Sequence, residues 1–169
     1  VPCSVSATIA ITQPAALSAT GVATDKSCSD KNNGSIDVTV SGGKSPYSFT
    51  WSNSLGTAED VFGLIAGTYT VTVISGRECV TTDVISVSEP EAIRIPPPSV
   101  IQFGCNSTNN LNNASITVSE ITGGSGTYTQ YEFIKNGTRV QFGPNPTYIE
   151  SDLAGGGYTV KVYDDRGCS

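Results

Sequence analysis

The sequence predicts an all-β protein made of tandem repeats. Thr, Val, Ser and Gly dominate the composition, whereas the residues that usually form helices are sparse. In addition, the stretch at residues 64–73 recurs at residues 153–162, with glycine in a turn followed by alternating branched or aromatic and polar residues. Such alternation is typical of a half-buried strand. We therefore expect no long helix, and we use the repeat to divide the chain.

The bulk properties exclude several classes of protein. The net charge of −6 and the lack of a basic stripe argue against nucleic-acid binding. No stretch approaches the ~18 apolar residues of a membrane span. The chain of 169 residues suits one or two small domains and has no methionine and no signal peptide at its start. We interpret it as a fragment of a longer polypeptide.

Residues 1–14 are predicted to be the last strand of a preceding repeat. Branched residues alternate with short polar ones in this segment. The eleven positions from Cys3 to Pro14 equal the eleven from Cys79 to Pro90. The segment therefore corresponds to the end of the repeat that follows it.

The first complete repeat is predicted to span residues 15–90. A strand at residues 35–40 has one apolar and one polar face, and Gly42-Gly43 then provides turn chemistry. Tyr47, Phe49 and Trp51 share one face of the next strand. The recurrent stretch and a final strand complete this repeat.

The second repeat is predicted to span residues 91–169 with a longer middle. Cys28 and Cys79 are 51 positions apart, whereas Cys105 and Cys168 are 63 apart. Most of the insertion lies in the middle of the repeat, where Asn136-Gly137 between apolar runs predicts a β-hairpin. The proline triplet at residues 96–98 favours an extended junction, which predicts a near-linear string of domains.

The repeat period suggests two disulfides within repeats. The cysteines hold equivalent positions in the two repeats, which suggests that Cys28 bonds to Cys79 and Cys105 bonds to Cys168. Cys3 would then have a partner in the preceding repeat. The alternative is that all five are buried free thiols of a cytosolic protein. A zinc site is not expected, because histidine and CxxC spacing are absent.

Two leucine–tyrosine pairs are predicted to be structural corners. Leu64 precedes Tyr69 by five residues, as Leu153 precedes Tyr158, and a cysteine follows each tyrosine by ten. We expect the two tyrosines to be equivalent and to set the register of the following cysteine. They resemble the tyrosine corner of immunoglobulin-like sandwiches.

The combined pattern resembles the SprB-type repeats of very large cell-surface adhesins in gliding Bacteroidota. The residues that carry the resemblance are Cys28, Asn33-Gly34-Ser35-Ile36, Ser41-Gly42-Gly43, Pro46-Tyr47, Trp51-Ser52-Asn53, Leu64, Gly67-Thr68-Tyr69, Cys79 and Pro90. The second repeat departs from the pattern at Ala114, which replaces a glycine, and has Phe133 or Tyr131 near the tryptophan position.

The resemblance implies tandem immunoglobulin-like sandwiches, type IX export and an extracellular location on the bacterial surface. It also implies a non-enzymatic filament for attachment and gliding. The implied partners are adjacent repeats, surface polysaccharide or another substratum, and the gliding or secretion machinery.

No catalytic residue and no cofactor are expected. The absence of histidine excludes the common Ser-His and Cys-His arrangements. The carboxylates of Asp60, Asp83, Glu89 and Asp152 have no spacing that suggests an acid–base pair, and we interpret them as surface charges.

Two loops offer oxygen ligands for calcium. One contains Asp25, Asp30 and Asn32, and the other contains Asp164 and Asp165. These residues also favour turns through local hydrogen bonds, so we predict no metal site from them.

The alternative function is a carbohydrate-binding or accessory module of a secreted polysaccharide-degrading enzyme. Trp51 would then be a platform on which a sugar stacks. Its alternation with Phe49 and Tyr47 instead favours a core position. A buried Trp51 would favour the filament, and exposed coplanar aromatics would favour the module.

Overall fold

A computed structural model describes residue 3 and residues 5–105, 107–108 and 110–169. The fold is all-β with antiparallel sheets, as predicted, and the helical element in these residues is the 3-10 turn Ser52–Ser54. No helix within the described ranges is long and apolar enough to cross a membrane. The strands are β1 Ser18–Thr24, β2 Gly34–Ser41, β3 Tyr47–Trp51, β4 Val61–Leu64, β5 Gly67–Ser75, β6 Val80–Val87, β7 Ser99–Ile101, β8 Gly104–Cys105, β9 Leu111–Asn112, β10 Ala114–Thr117, β11 Tyr128–Lys135, β12 Thr138–Gly143, β13 Thr147–Glu150 and β14 Tyr158–Asp164.

The chain divides into two compact units. Unit one contains the described residues up to Thr24 together with Ser35–Gly63 and Gly67–Val87. Unit two contains Asp25–Gly34, Leu64–Ala66 and Ser88–Ser169. The loop Asp25–Gly34 follows β1 in the first repeat of the sequence, yet it belongs to unit two.

Unit one has two three-stranded sheets, ordered β1-β2-β4 and β3-β5-β6. β5 is the central strand of the second sheet, since Val71 pairs with Trp51 of β3 and with Asp83 of β6. Its side chains alternate, and Tyr69 and Val73 are buried together with Val71. The period-two pattern of the sequence thus produces one buried face.

The two sheets of unit one share a core. A Cβ atom on Gly21 of β1 would lie 2.6 Å from Cγ1 of Ile85 in β6 and 3.3 Å from Cγ2 of Ile36 in β2. Glycine is needed at this position because the Ile85 side chain fills the space. The close approach shows the face-to-face packing of a sandwich.

Unit two repeats this plan with differences. Its main sheets are ordered β13-β10-β7 and β12-β11-β14, and β8 pairs with β9. Its core contains Ile116, Tyr131, Phe133 and Val162 from both main sheets, and Val118 directly after β10. The predicted hairpin is present between β11 and β12, where Asn136 and Gly137 have φ values of 49° and 83°. Positive φ at both positions explains the Asn-Gly sequence.

The strand predicted at residues 1–14 is absent from the described part of that segment. Residues 5–17 form no strand, and Val5, Ile9 and Ile11 are 98%, 84% and 96% exposed. A strand requires a hydrogen-bonding neighbour, and no described strand pairs with these residues. Val1, Pro2 and Ser4 lie outside the described residues.

Candidate functional site

The structure forms a disulfide between Cys28 and Cys168, both in unit two. The sulfur atoms are 2.14 Å apart, the Cα atoms are 5.4 Å apart, and both side chains are buried. Cys79, Cys105 and Cys3 are free and exposed. The predicted pairings of Cys28 with Cys79 and of Cys105 with Cys168 are therefore wrong.

The failed pairing has a geometric reason. Cys28 precedes β2, whereas the turn that holds Cys79 hydrogen-bonds to the turn after β2, with Gly76 N donating to Lys44 O at 2.7 Å. β2 has eight residues, and eight residues of strand span roughly 26 Å. A disulfide requires Cα atoms within about 7 Å. The equivalent positions of the cysteines reveal the repeat, but they do not distinguish a disulfide within one repeat from a disulfide to the next repeat.

Polar contacts hold the cysteine-bearing loop in unit two. Lys26 N donates to Ser88 O at 3.0 Å, and Ser88 N donates to Oδ1 of Asp25 at 2.7 Å. The Lys26 side chain is buried and forms an ion pair with Glu89. Hydrogen bonds from Ser88 lower the pKa of Asp25. Both the disulfide and these polar contacts therefore hold the loop.

The strand registers place Tyr69 and Tyr158 at equivalent positions. Trp51 pairs with the residue two positions after Tyr69, and Phe133 pairs with the residue two positions after Tyr158. Phe133 thus takes the tryptophan position of the second repeat. The Tyr158 hydroxyl donates to a carboxylate oxygen of Glu150, whereas a tyrosine corner donates to the backbone.

The two corner leucines are not equivalent. Leu64 is the last residue of β4 and is buried, whereas Leu153 lies in a turn and is 64% exposed. β13 ends three residues before Leu153, at Glu150, which is 5% exposed. The predicted corner role of Leu153 is wrong, because Glu150 and not Leu153 is the buried residue at the end of this strand.

Glu150 is the centre of a polar cluster. Lys135 Nζ lies 2.9 Å from its Oε2 and 3.0 Å from Oδ2 of Asp152. Asp152 N donates to Oε1 of Glu150 at 2.7 Å. Hydrogen bonds from Lys135, Tyr158 and the backbone of Asp152 lower the pKa of Glu150 to about 2. The hydrogen bonds to Glu150 and Asp152 raise the pKa of Lys135.

Asp164 caps the turn that holds Cys168. This carboxylate is 3% exposed and accepts hydrogen bonds from the backbone N–H groups of Cys168 at 2.8 Å, Ser125 at 3.0 Å and Arg166 at 3.0 Å. Burial would raise the pKa of Asp164, but these hydrogen bonds outweigh it and the pKa is lowered. Asp164 therefore organises the turn.

The candidate calcium ligands make other contacts. Asp25 and Asp164 accept backbone N–H groups, and Asp30 lies at the surface 4.0 Å from Lys31 Nζ. Within the described residues, no group of three His, Cys, Asp or Glu side chains could hold a metal ion.

The four carboxylates that were considered for acid–base chemistry each have a different contact. Asp60 accepts a hydrogen bond from Val38 N, and Asp83 accepts one from Gly21 N. Glu89 forms an ion pair with Lys26, and Asp152 forms one with Lys135. Each carboxylate therefore has its own structural contact, and no two of them share a partner.

Neither Trp51 nor Phe142 offers a flat platform for a sugar. Trp51 is 4% exposed, and its Nε1 donates to Ala58 O at 2.8 Å. Phe142 is exposed on β12, but its ring meets Tyr163 edge-on, with an angle of 77° between the planes. These arrangements favour core packing over stacking on a sugar.

A pair of glycines forms a site that sequence analysis treated only as a turn. Gly43 N donates to Ala15 O at 2.8 Å, and the Tyr47 hydroxyl donates to Gly42 O at 2.7 Å. Gly42 has a φ of 70°, and a Cβ atom there would lie 1.9 Å from Ala16 O. We call this arrangement the Gly-Gly clasp; it ties the entering chain to the turn after β2.

The second repeat has the same Gly-Gly clasp. Gly124 N donates to Glu91 O at 2.7 Å, and the Tyr128 hydroxyl donates to Gly123 O at 2.8 Å. A Cβ atom on Gly123 would lie 2.1 Å from Ala92 O. The hydroxyl-to-backbone bond expected of a corner tyrosine is thus made by Tyr47 and Tyr128. The signal in the sequence is a tyrosine five residues after the first glycine of each pair.

Residues 20–56 match the family model of the SprB repeat. This match confirms the resemblance over about a fifth of the chain. The matched SprB-repeat residues include most of β1 and β2, the glycines and tyrosine of the first clasp, and Trp51. Apart from Asp25–Gly34, the matched residues thus belong to unit one.

Two solved structures are similar to the chain. One is "Structures of Clostridium thermocellum CbhA fibronectin(III)-like modules", with 14% identity, a TM-score of 0.35 and coverage of 82% of this chain and 80% of that chain. The other contains three N-terminal domains of the bacteriophage RB49 highly immunogenic outer capsid protein (Hoc), with 18% identity, a TM-score of 0.46 and coverage of 89% and 54%. The chain spans about half of the Hoc structure. A search of curated proteins finds no significant match.

Proposed function

We propose that the chain is a non-enzymatic structural and adhesive repeat region of a large bacterial cell-surface filament. In this proposal the filament is exported by the type IX system and mediates attachment and gliding. The observation that carries the proposal is the SprB-repeat match at residues 20–56, together with the resemblance of the second repeat to the first.

The side chains that define the repeat support a mechanical role. Trp51 is buried, and the Gly-Gly clasp and the disulfide connect backbone segments that are distant in sequence. Their shared effect is to resist separation of strands.

The disulfide also determines how the chain carries force. Cys28 and Cys168 are 140 residues apart in sequence. A pull on residues outside this pair passes through the disulfide and leaves the intervening segment unloaded. Reduction should release roughly 490 Å of extra contour length, at about 3.5 Å per residue.

Single-molecule pulling from the two termini tests this mechanical role. The oxidised chain should extend only through its terminal residues, and Cys168→Ser should restore the long extension. Cys79→Ser removes a free thiol and is the matched control, which should behave as the parent. Long extension of the oxidised parent would contradict a load-bearing disulfide.

The adhesive role requires a test in the source bacterium. Antibody against the chain should label intact cells. Replacement of residues 15–169 by two unrelated β-sandwich domains of equal length should reduce attachment to glass and gliding, because spacing alone would be retained. Labelling only after permeabilisation, or unchanged attachment, counts against the proposal. Glycan binding lost in Phe142→Ala would instead favour the carbohydrate-binding module.

A further inference from the structure

The turn after β5 has the backbone of the turn after β14 without its carboxylate. In each turn the fourth residue donates its N–H to the carbonyl of the first, Glu78 to Ser75 at 2.8 Å and Gly167 to Asp164 at 3.1 Å. Ser75 therefore holds in unit one the position that Asp164 holds in unit two. A serine at this position leaves the first turn without the charged acceptor that organises the second.

Three backbone N–H groups of unit one correspond to those that bind Asp164 in unit two. One belongs to the residue that follows the glycine pair, and the others belong to the residues two and four positions after Ser75. The three residues are Lys44, Arg77 and Cys79, and their counterparts are Ser125, Arg166 and Cys168. We call the N–H groups of Lys44, Arg77 and Cys79 the N–H cradle.

The N–H cradle has no acceptor in the part of the chain that the structure describes. None of its three N–H groups donates a hydrogen bond there. Ser75 is 4% exposed, and its Oγ is also without a hydrogen-bond partner among the described residues. Buried polar groups are nearly always hydrogen-bonded in proteins, so an unpaired one requires an explanation. Polar groups without partners thus lie where unit two holds a carboxylate.

A cavity of about 150 Å³ lies at the N–H cradle. All three cradle residues line it, and so do Gly43 and residues 13–17. A Cβ atom on Gly43 would lie 3.2 Å from Cβ of Ser75, whereas one on the equivalent Gly124 would lie 2.8 Å from Oδ2 of Asp164. The counterpart of the glycine that lines the cavity therefore faces the carboxylate itself. The cavity has the place of the missing carboxylate.

The charge and the size of the cavity suit a single anionic group. Converging backbone N–H groups bind anions. Lys44 and Arg77 add two positive side chains, and neither forms an ion pair with a described residue. Glu78 is the acidic residue of this turn, and it is exposed. Pockets for whole drug-sized ligands have about 300–1,000 Å³, so this cavity admits a small acid or the acidic group of a larger molecule.

We propose that the N–H cradle of unit one binds the carboxylate group of a ligand. As in the turn of Asp164, one carboxylate oxygen accepts the N–H groups of Arg77 and Cys79, and the other accepts that of Lys44. Hydrogen bonds to an ionised acceptor are roughly twice as strong as those between neutral groups. The carboxylate belongs to a small free acid or to a uronate unit of an acidic polysaccharide, which share this chemistry.

The inference goes beyond the proposed filament and does not rest on it. Carboxylate binding by a chain whose replacement leaves attachment unchanged would retain the inference and lose the proposed function. Loss of attachment on replacement of a chain that binds no carboxylate would have the opposite meaning.

An NMR titration of the full chain with sodium acetate tests the site directly. The amide signals of the N–H cradle should shift and saturate with a dissociation constant on the order of 1 mM. Sodium chloride at the same ionic strength should produce no saturating shift. The Ser125 amide is the matched control within the same chain, because its N–H already binds Asp164. Shifts that do not saturate, or an equal response of Ser125, would overturn the proposal.

Substitution of Ser75 tests the site from within the fold. Ser75→Asp supplies the carboxylate that Asp164 supplies in unit two, so the acetate-induced shifts should be lost and the midpoint of thermal unfolding should rise. Ser75→Ala is the matched control, since it leaves the cavity open and should retain acetate binding. Acetate binding of parental affinity in Ser75→Asp would contradict this position for the ligand.

Alkylation of the free thiols is a second readout that needs no variant. Iodoacetate and iodoacetamide both transfer their CH₂ carbon to Sγ, with loss of iodide and release of the thiol proton to solvent, but only iodoacetate has a carboxylate. Cys79 lines the cavity, and Cys105 is free and exposed outside it. Peptide mapping should show that Cys79 prefers iodoacetate several-fold more strongly than Cys105 does. Acetate, but not chloride, should remove this preference; equal preferences at the two thiols would overturn the proposal.

Uronates distinguish the two sources of the carboxylate. Galacturonate should shift the cradle amides as acetate does, and galactose, which lacks the carboxylate, should not. An oligogalacturonate that binds more tightly per carboxylate than acetate would assign the site to an acidic polysaccharide, whereas equal affinities would assign it to a small free acid. Equal shifts with galactose and galacturonate would show that the carboxylate is not recognised and would reject the proposal.

Discussion

The turns after β5 and β14 have the same backbone bonds and different side chains. Ser75 N donates to Cys79 O at 2.9 Å, and Asp164 N donates to Cys168 O at 3.1 Å. Asp164 accepts three backbone N–H groups, whereas Ser75 Oγ is buried without a hydrogen-bond partner in the part of the chain that the structure describes. The strand register therefore sets the path of the turn, and its side chains determine how firmly that path is held.

The cysteines that end these turns differ even more. Cys168 is buried in a disulfide, and Cys79 is exposed and free. Equivalent positions in two repeats thus have different covalent states. Substitutions that give one turn the side chains of the other should reveal how much each difference contributes to stability.

The largest effect is expected from Cys168→Ser. The disulfide restricts a segment of 140 residues, and its loss should lower the free energy of unfolding by about 5 kcal/mol in the chain-entropy model. Cys79→Ser, at the equivalent free position, should change it by less than about 0.5 kcal/mol. Guanidinium unfolding without reductant measures both. Equal losses would show that the covalent difference between the turns has no energetic consequence.

Asp164→Ser should have the next largest effect, because it converts the second turn to the first. Three backbone N–H groups lose their acceptor, of which the Cys168 N–H is buried, and we expect a loss of about 2 kcal/mol in the free energy of unfolding. Ser75→Ala removes only an unpaired hydroxyl and should be neutral or slightly stabilising. Urea unfolding of unit two by tyrosine fluorescence provides the measurement. A change under about 0.5 kcal/mol for Asp164→Ser would mean that the backbone alone holds this turn.

The stability contributed by Glu150 should depend on pH, whereas that of the apolar strand end at Leu64 should not. The pKa of Glu150 in the folded chain is about 2, below its ordinary value of 4.5. Its contribution to stability is therefore fully present above pH 4.5 and is lost as the pH falls toward 2. The difference between unfolding curves of the parent and Glu150→Gln should shrink over this interval. A difference in the free energy of unfolding that does not change with pH would mean that the packing of Glu150, and not its charge, causes the loss of stability.

Local features of the fold were predictable from the sequence. The alternation around Val71 follows from the two-residue period of a strand, and the hairpin at Asn136-Gly137 follows from the positive φ that both residues tolerate. Each depends on interactions between near neighbours. The sequence left the tryptophan position of the second repeat open between Phe133 and Tyr131, and the register of β11 against β14 assigns it to Phe133.

Features that depend on distant segments were not predictable from spacing. The partner of Cys28 depends on which loop packs beside it, and both possible partners have the same place in the repeat. Leu153 has the correct spacing to tyrosine but lies beyond the end of its strand, which is at Glu150. The glycines and the tyrosine of the Gly-Gly clasp are visible in the sequence. The carbonyl that Gly43 N binds belongs to Ala15, which lies 28 residues earlier and could not be identified from spacing.

The smallest predicted effect concerns one backbone conformation in the two turns. Glu78 has a φ of 63°, and the equivalent Gly167 has a φ of 77°. A side chain is strained in this left-handed region, whereas glycine is not. Glu78→Gly should therefore raise the free energy of unfolding of unit one by about 0.5 kcal/mol, after the entropy of the unfolded glycine is subtracted.

Gly167→Ala is the reciprocal change. No atom lies within 4 Å of the added Cβ, so any loss reports backbone strain without a steric clash. We expect a loss of about 1 kcal/mol in the free energy of unfolding of unit two. Opposite signs for the two variants would show that both repeats impose the same left-handed turn and that only the second has the residue suited to it. A destabilising Glu78→Gly would instead mean that the glutamate side chain makes a contribution larger than the strain.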